Sequence, residues 1–156
     1  YPKIGAKEAY IDAFTMWLVR DPEDLDVVVL PNMFGDIATD LASVLQGGMG
    51  MAASANLGDK HMMFEPVHGS SPKHAGKNRV NPIAMLSSLQ LMLENLSLRH
   101  DDPLLDKYGN ILQQAISQHL SSDGPKTYDI GGTGTTSEVG DAIADRVRRL
   151  LRNDKA

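Results

Sequence analysis

The chain has 156 residues, 42% hydrophobic and 22% charged, with a net charge of −5. That suffices for one ordinary core, excludes a disordered or fibrous chain, and argues against nucleic acid or an anionic membrane as partner of the surface as a whole. With no cysteine there are no disulfides, zinc-thiolate sites or thiol nucleophiles, which fits a cytoplasmic protein, and no apolar run approaches membrane-spanning length.

The chain opens on Tyr1-Pro2-Lys3, without methionine, as if cut from something longer. Residues 7–20 predict a helix whose apolar side carries Tyr10, Ile11, Phe14, Trp17 and Leu18. Asp12 lies inside that helix, where a solvated edge position explains it better than a functional role does, because burial without a partner is costly. Residues 26–30 are short, β-branched and closed by Pro31-Asn32, the pattern of a buried strand. Asn32-Met33-Phe34-Gly35 then reads as a turn, and from Asp36 the spacing is helical. Asp36 and Asp40 fall on one face of that helix. Two readings stay open: the pair holds Mg²⁺ or Mn²⁺, which accept few hard oxygen ligands and keep positions for water and substrate, or it answers the helix macrodipole.

The glycines from Gly47 to Gly50 read as a hinge between lobes. Gly48-Met49-Gly50-Met51-Ala52-Ala53 matches a dinucleotide-binding string, but follows a helix where that motif needs a strand. Residues 62–67 predict a strand. The loop after it carries His68, Gly69, Ser70, Ser71, Lys73, His74 and Lys77, suited to a phosphate-bearing nucleotide or, equally, a solvated basic turn. Asn81-Pro82 supplies an N-cap and a first-turn proline for a helix from Ile83, with Leu86, Leu89, Leu93 and Leu96 in one stripe and Leu91 and Met92 in a second. Such a helix is expected in a core or a subunit interface. Residues 104–120 predict another helix, weakened by Gly109. Thr135 and Glu138 have capping-box spacing for a last one through Ile143, Val147 and Leu150. Gly132-Thr133-Gly134 is explained by turn and cap without a phosphate.

Asn32-Met33-Phe34-Gly35-Asp36 with Asp40, then Glu65-Pro66-Val67-His68-Gly69-Ser70, Pro72, Ala75-Gly76-Lys77 and Asn81-Pro82, resemble the β-decarboxylating dehydrogenases: the isopropylmalate, isocitrate, homoisocitrate and tartrate enzymes. The resemblance implies an α/β fold with two lobes, 1–47 belonging to the small metal- and dimer-forming lobe and 48–156 to the large cofactor-binding one. It implies Mg²⁺ or Mn²⁺ on Asp36 and Asp40, completed by Asp12 from the neighbouring subunit of a homodimer. It further implies metal-assisted oxidation of a hydroxy-acid substrate by NAD(P)⁺, followed by loss of CO₂. His68, Gly69, Ser70, Ser71, Lys73, His74, Asn81 and Tyr128 would bind the cofactor.

NAD-using relatives carry an aspartate after the Gly-Ser-x-Pro segment, whereas Lys73 and His74 stand here, which favours NADP. Tyr128 matches a phosphate-binding tyrosine of the NADP-using isocitrate enzymes, but Gly132 stands where they carry an arginine. The family's general-base lysine and general-acid tyrosine lie upstream of the matching region. No catalytic residue is therefore expected in this chain, which is read as the C-terminal part of a longer enzyme. A non-catalytic regulatory subunit on the same fold is the alternative.

Overall fold

The computed structural model describes residues 1–154. Its elements are α1 (Ile11–Arg20), α2 (Asn32–Ser43), β1 (Ala53–Leu57), β2 (Met62–Pro66), α3 (Ile83–His100), α4 (Pro103–Leu120) and α5 (Thr136–Asn153). They fall into two compact units, Tyr1–Leu45 and Gln46–Ala156.

The first unit is an α1–α2 pair. Phe14 and Leu18, one turn apart on α1, are buried with Ala38 of α2, and Ile11, Leu25, Leu30 and Leu41 close around them. Helix α1 starts at Ile11 instead of residue 7. Residues 7–10 lie on the surface, Tyr10 85% exposed, and no side chain caps the helix, so nothing offsets the cost of ordering another turn. Residues 26–30 correct the sequence reading most sharply. They form no strand, and Val27 and Val29 are 83% and 89% exposed. A strand needs a neighbour to take its backbone groups, and this unit has no other strand among the described residues.

Helix α2 begins at Asn32, so Asn32 to Gly35 are helical and not a turn. Pro31 sits at its N-cap, and its carbonyl accepts from the Gly35 amide at 2.8 Å.

The second unit is layered. Strands β1 and β2 pair antiparallel from Ala53 opposite Pro66 to Leu57 opposite Met62. The Arg99 guanidinium ties their connection to the end of α3, donating to the Gly58 carbonyl at 2.7 Å and the Lys60 carbonyl at 3.3 Å. Helix α3 packs on both strands and on α4, and α4 packs on α5. This explains why α3 is apolar on more than one side, although its buried positions are Ile83, Ala84, Ser88 and Ser97 and not the leucine stripe. Gly109 lets α3 and α4 approach: a Cβ there would meet Glu94 Cγ at 3.4 Å and Leu93 Cβ at 3.6 Å. The core is Ile83, Leu112, Ala115, Ile116, Val139 and Ile143, with Met51, Leu86, Leu120, Val147 and Leu150 packed around it. Asp102 caps α4 through the Leu104 amide. The capping box of α5 forms as predicted, the Glu138 carboxylate accepting from the Thr135 amide at 2.8 Å.

Candidate functional site

Two groups of residues singled out by the sequence sit in different units. In the first unit, Asp36 and Asp40 lie four residues apart on α2 and both are exposed. Because α2 begins at Asn32, neither belongs to its first turn, where the macrodipole acts, so that explanation of the pair loses its force. Asn32 Nδ2 donates to Asp36 Oδ2 at 3.2 Å, and no cation of this chain forms an ion pair with either carboxylate among the described residues. Hard, free carboxylate oxygens on one helical face are a fitting donor set for Mg²⁺ or Mn²⁺. Asp12 lies on the first turn of α1, where its Oδ1 accepts from the Ala13 amide at 2.8 Å. It does not join the other two: no cluster of three potential metal ligands occurs within one chain among the described residues.

In the second unit, residues 68–81 form a loop whose path depends on left-handed backbone at Ser71 (φ +47°), Gly76 (φ +72°) and Asn78 (φ +48°). A 3₁₀ turn at Pro72–His74 carries Lys73 and His74. The loop is then pinned twice. The Asn78 backbone carbonyl and side-chain Oδ1 accept from the Thr136 and Ser137 amides at the start of α5, at 3.0 and 3.1 Å, and Thr136 Oγ1 donates to the Val80 carbonyl at 2.6 Å. Asn81 is buried; its Oδ1 accepts from the Ile83 amide at 3.0 Å and its Nδ2 donates to Asp129 Oδ2, also at 3.0 Å. The helix takes Pro82 and not Asn81 as its N-cap, one residue later than predicted; the Asn81 side chain still serves the first amide of α3 and is spent on holding the loop to the turn at Tyr128–Ile130. Gly50 makes room for this junction, since a Cβ there would lie 2.6 Å from Asp129 Oδ2.

These ties bring His74 and Tyr128 together. Their rings stack with centroids 5.9 Å apart at 29°. His74 Nδ1 is buried without a hydrogen-bond partner. Over the Tyr128 ring, 4.3 Å from its centroid, lies the Arg79 guanidinium, which the sequence reading missed. The signal was present, because the basic run continues past Lys77 to Arg79, but nothing local says that it meets Tyr128. Gly69, Ser70, Ser71 and Lys73 are exposed along the same loop, while half-buried His68 donates from Nδ1 to the Gly69 carbonyl at 2.9 Å.

The Gly132-Thr133-Gly134 segment offers no phosphate cradle. The Gly132 amide donates to the Thr127 carbonyl at 2.9 Å and the Gly134 amide to the Lys126 carbonyl at 2.7 Å. No side chain fits at Gly132, where a Cβ would stand 2.0 Å from the Lys126 carbonyl oxygen.

His119 is a second residue missed by the sequence. It is wholly buried on α4 beneath Gly124, and no hydrogen bond of good geometry reaches either ring nitrogen. Burial pushes its pKa below the usual value; the Pro125 backbone opposes this, and the Arg146 and Lys126 charges add to it. Glu138 is held below the ordinary carboxylate range by the hydrogen bonds of its capping box with the Thr135 backbone and side chain.

A family model described as isocitrate/isopropylmalate dehydrogenase matches residues 1–143. The chain is 41% identical over 144 residues to the 3-isopropylmalate dehydrogenase of Methanothermobacter thermautotrophicus, covering 92% of this chain and 41% of that protein. It is 43% identical over 148 residues to the 3-isopropylmalate/3-methylmalate dehydrogenase of Methanocaldococcus jannaschii, covering 95% and 42% respectively. The isocitrate dehydrogenase structure from Methylococcus capsulatus superposes with a TM-score of 0.85 at 35% identity, over 95% of this chain and 42% of that one. The chain therefore spans about two fifths of the length of these relatives and takes an α/β portion of the isocitrate dehydrogenase fold.

Proposed function

Because this chain belongs to the isocitrate/isopropylmalate dehydrogenase family, we propose that it is the C-terminal portion of a metal-dependent dehydrogenase that oxidatively decarboxylates a 2-hydroxy-3-carboxy acid of the isopropylmalate or isocitrate type. NADP⁺ is the favoured hydride acceptor and NAD⁺ the alternative.

The observation that carries the reading is the carboxylate pair of α2. Asp36 and Asp40 present free oxygens on one face, beyond the reach of the helix dipole and without a cation of their own. A bound Mg²⁺ or Mn²⁺ supplies Lewis-acid polarisation of substrate oxygens. The two aspartates hold that ion and thereby orient the hydroxy acid, and Asp12 of a neighbouring copy provides the third carboxylate in a homodimer with a shared site. In this reading residues 1–47 serve the metal and the dimer, and 48–156 serve the nucleotide. Lys73, His74 and Tyr128 bind its adenosine end, where a cation beside two stackable rings suits a phosphorylated ribose. Proton transfer is left to a lysine and a tyrosine outside this chain. The setting is cytoplasmic.

The test is Mn²⁺-dependent oxidation of isopropylmalate, isocitrate and tartrate by the full-length enzyme, with NAD⁺ and NADP⁺ in parallel, for wild type and Asp36→Asn. Turnover of one acid, falling a hundredfold or more in the variant, is expected, since removing a metal ligand forfeits roughly 3 kcal/mol of barrier lowering. No turnover of any acid by a protein that still binds nucleotide would instead make it a non-catalytic subunit on this fold.

A further inference from the structure

Building on the nucleotide reading above, we propose that Arg79 is a specificity-determining residue, whose guanidinium takes the 2′-phosphate of a phosphorylated adenosine beside Lys73 and His74.

Arg79 differs from Arg99, Arg146 and Arg148 of the second unit in what it does not hold. Arg99 donates to two backbone carbonyls, Arg146 to the Ser122 hydroxyl, and Arg148 pairs with Asp145. Arg79 has its carbon 4.3 Å from the Tyr128 ring centroid, and among the described residues it makes no hydrogen bond or ion pair. A guanidinium laid on a ring uses its face and leaves its in-plane N–H donors free, the edge that matches two phosphate oxygens.

The position is also fixed. Asn78, at φ +48°, is bonded to the start of α5, and Asn81 is buried in its bonds to Ile83 and Asp129. Arg79 lies between these two anchors. The same Tyr128 ring stacks on His74, which follows Lys73 in the 3₁₀ turn. Residues from two places in the loop and one from the turn at Tyr128–Ile130 thus gather basic and stacking groups at one exposed spot. The backbone on the other side of that turn cannot contribute, because Gly132 has no room for any side chain. A phosphate monoester carries close to two negative charges and several acceptors, and rewards a guanidinium fork; a free 2′-hydroxyl in its place does not.

The experiment measures, by calorimetry on the full-length protein, the affinities for adenosine 2′,5′-bisphosphate, AMP and inorganic phosphate, in wild type, Arg79→Gln and Arg79→Lys. Wild type is expected to prefer the bisphosphate over AMP. Arg79→Gln should lose tenfold or more of that preference while binding AMP as before, and Arg79→Lys should lose less, keeping the charge without the fork. An unchanged preference in Arg79→Gln overturns the proposal, as does an equal fall for both nucleotides, which would make Arg79 a prop for Tyr128 and nothing more. Inorganic phosphate binding as tightly as the bisphosphate would overturn the assignment to adenosine. A wild type that does not prefer the bisphosphate, yet turns over with NAD⁺, would sink the NADP reading itself and is told apart from the other outcomes by that one comparison.

Discussion

The two units differ in how completely they bury what their sequences put forward. In Gln46–Ala156 a hairpin and three long helices enclose Ile83, Ala115, Val139 and Ile143, each at most 1% exposed. In Tyr1–Leu45 two helices share three buried side chains, and a run of three valines faces outward, its ends more than four-fifths exposed. The loop 68–81 therefore rests on this buried layer, tied by side chains to α5 and to the turn at Tyr128–Ile130. Asp36 and Asp40 rest on a helix whose preceding segment has no strand to join within its own unit among the described residues. On the function proposed above, a cofactor platform would thus be preformed by local chain, whereas the metal site would need other chain to bring Asp12.

The largest effect is expected in the core of the second unit. Ile143→Ala removes a side chain that is 1% exposed among α4 and α5 partners, and is expected to cost about 3 kcal/mol in urea unfolding. A loss below about 1 kcal/mol would mean that this layer is not the cooperative unit it looks. A smaller, pH-dependent effect comes from His119. Its folded pKa lies below the usual 6.5, so the unfolded chain binds a proton that the folded one refuses as pH falls. This contribution to stability is fully present above pH 6.5 and is lost progressively below it, at most about 1.4 kcal/mol per pH unit. Glu138 acts in the same direction but only as pH falls through the carboxylate range, below its ordinary 4.5. Stability measured between roughly pH 7 and 5 should fall with acid in wild type and be flatter in His119→Leu. An identical slope in both would show that His119 is not the titrating group.

The sequence was legible where signals are local. The capping box at Thr135 and Glu138 and strand β2 each follow from residues within a few positions of one another. Strand β1 was not legible, because Ala53, Ser54, Ala55 and Asn56 carry no β-branched or aromatic preference and are held by pairing with β2 and packing on α3. Residues 26–30 failed the opposite way: their preference for strand is strong, but a ladder is made by two segments. The site divides along the same line. Its loop and its acidic pair were visible as motifs, whereas Arg79 over Tyr128 depends on a contact between distant segments that no spacing announces. His119 was missed because a lone histidine in an amphipathic helix reads as any other polar position.

The smallest effect is expected at the exposed valines of the first unit. Val29 is 89% exposed, so Val29→Ala in this 156-residue chain is expected to change stability by no more than about 0.5 kcal/mol. In a longer protein containing this chain, if residues 26–30 join a sheet supplied by the rest of that protein, the same change removes two buried methyl groups and should cost about 1–2 kcal/mol. The difference between the two measurements reports directly whether this segment gains a partner, because the substitution, the residue and the neighbouring helix are the same in both. A cost near zero in both proteins would leave the valines without a sheet. The incompleteness of the first unit would then be its own property and not a consequence of missing strands.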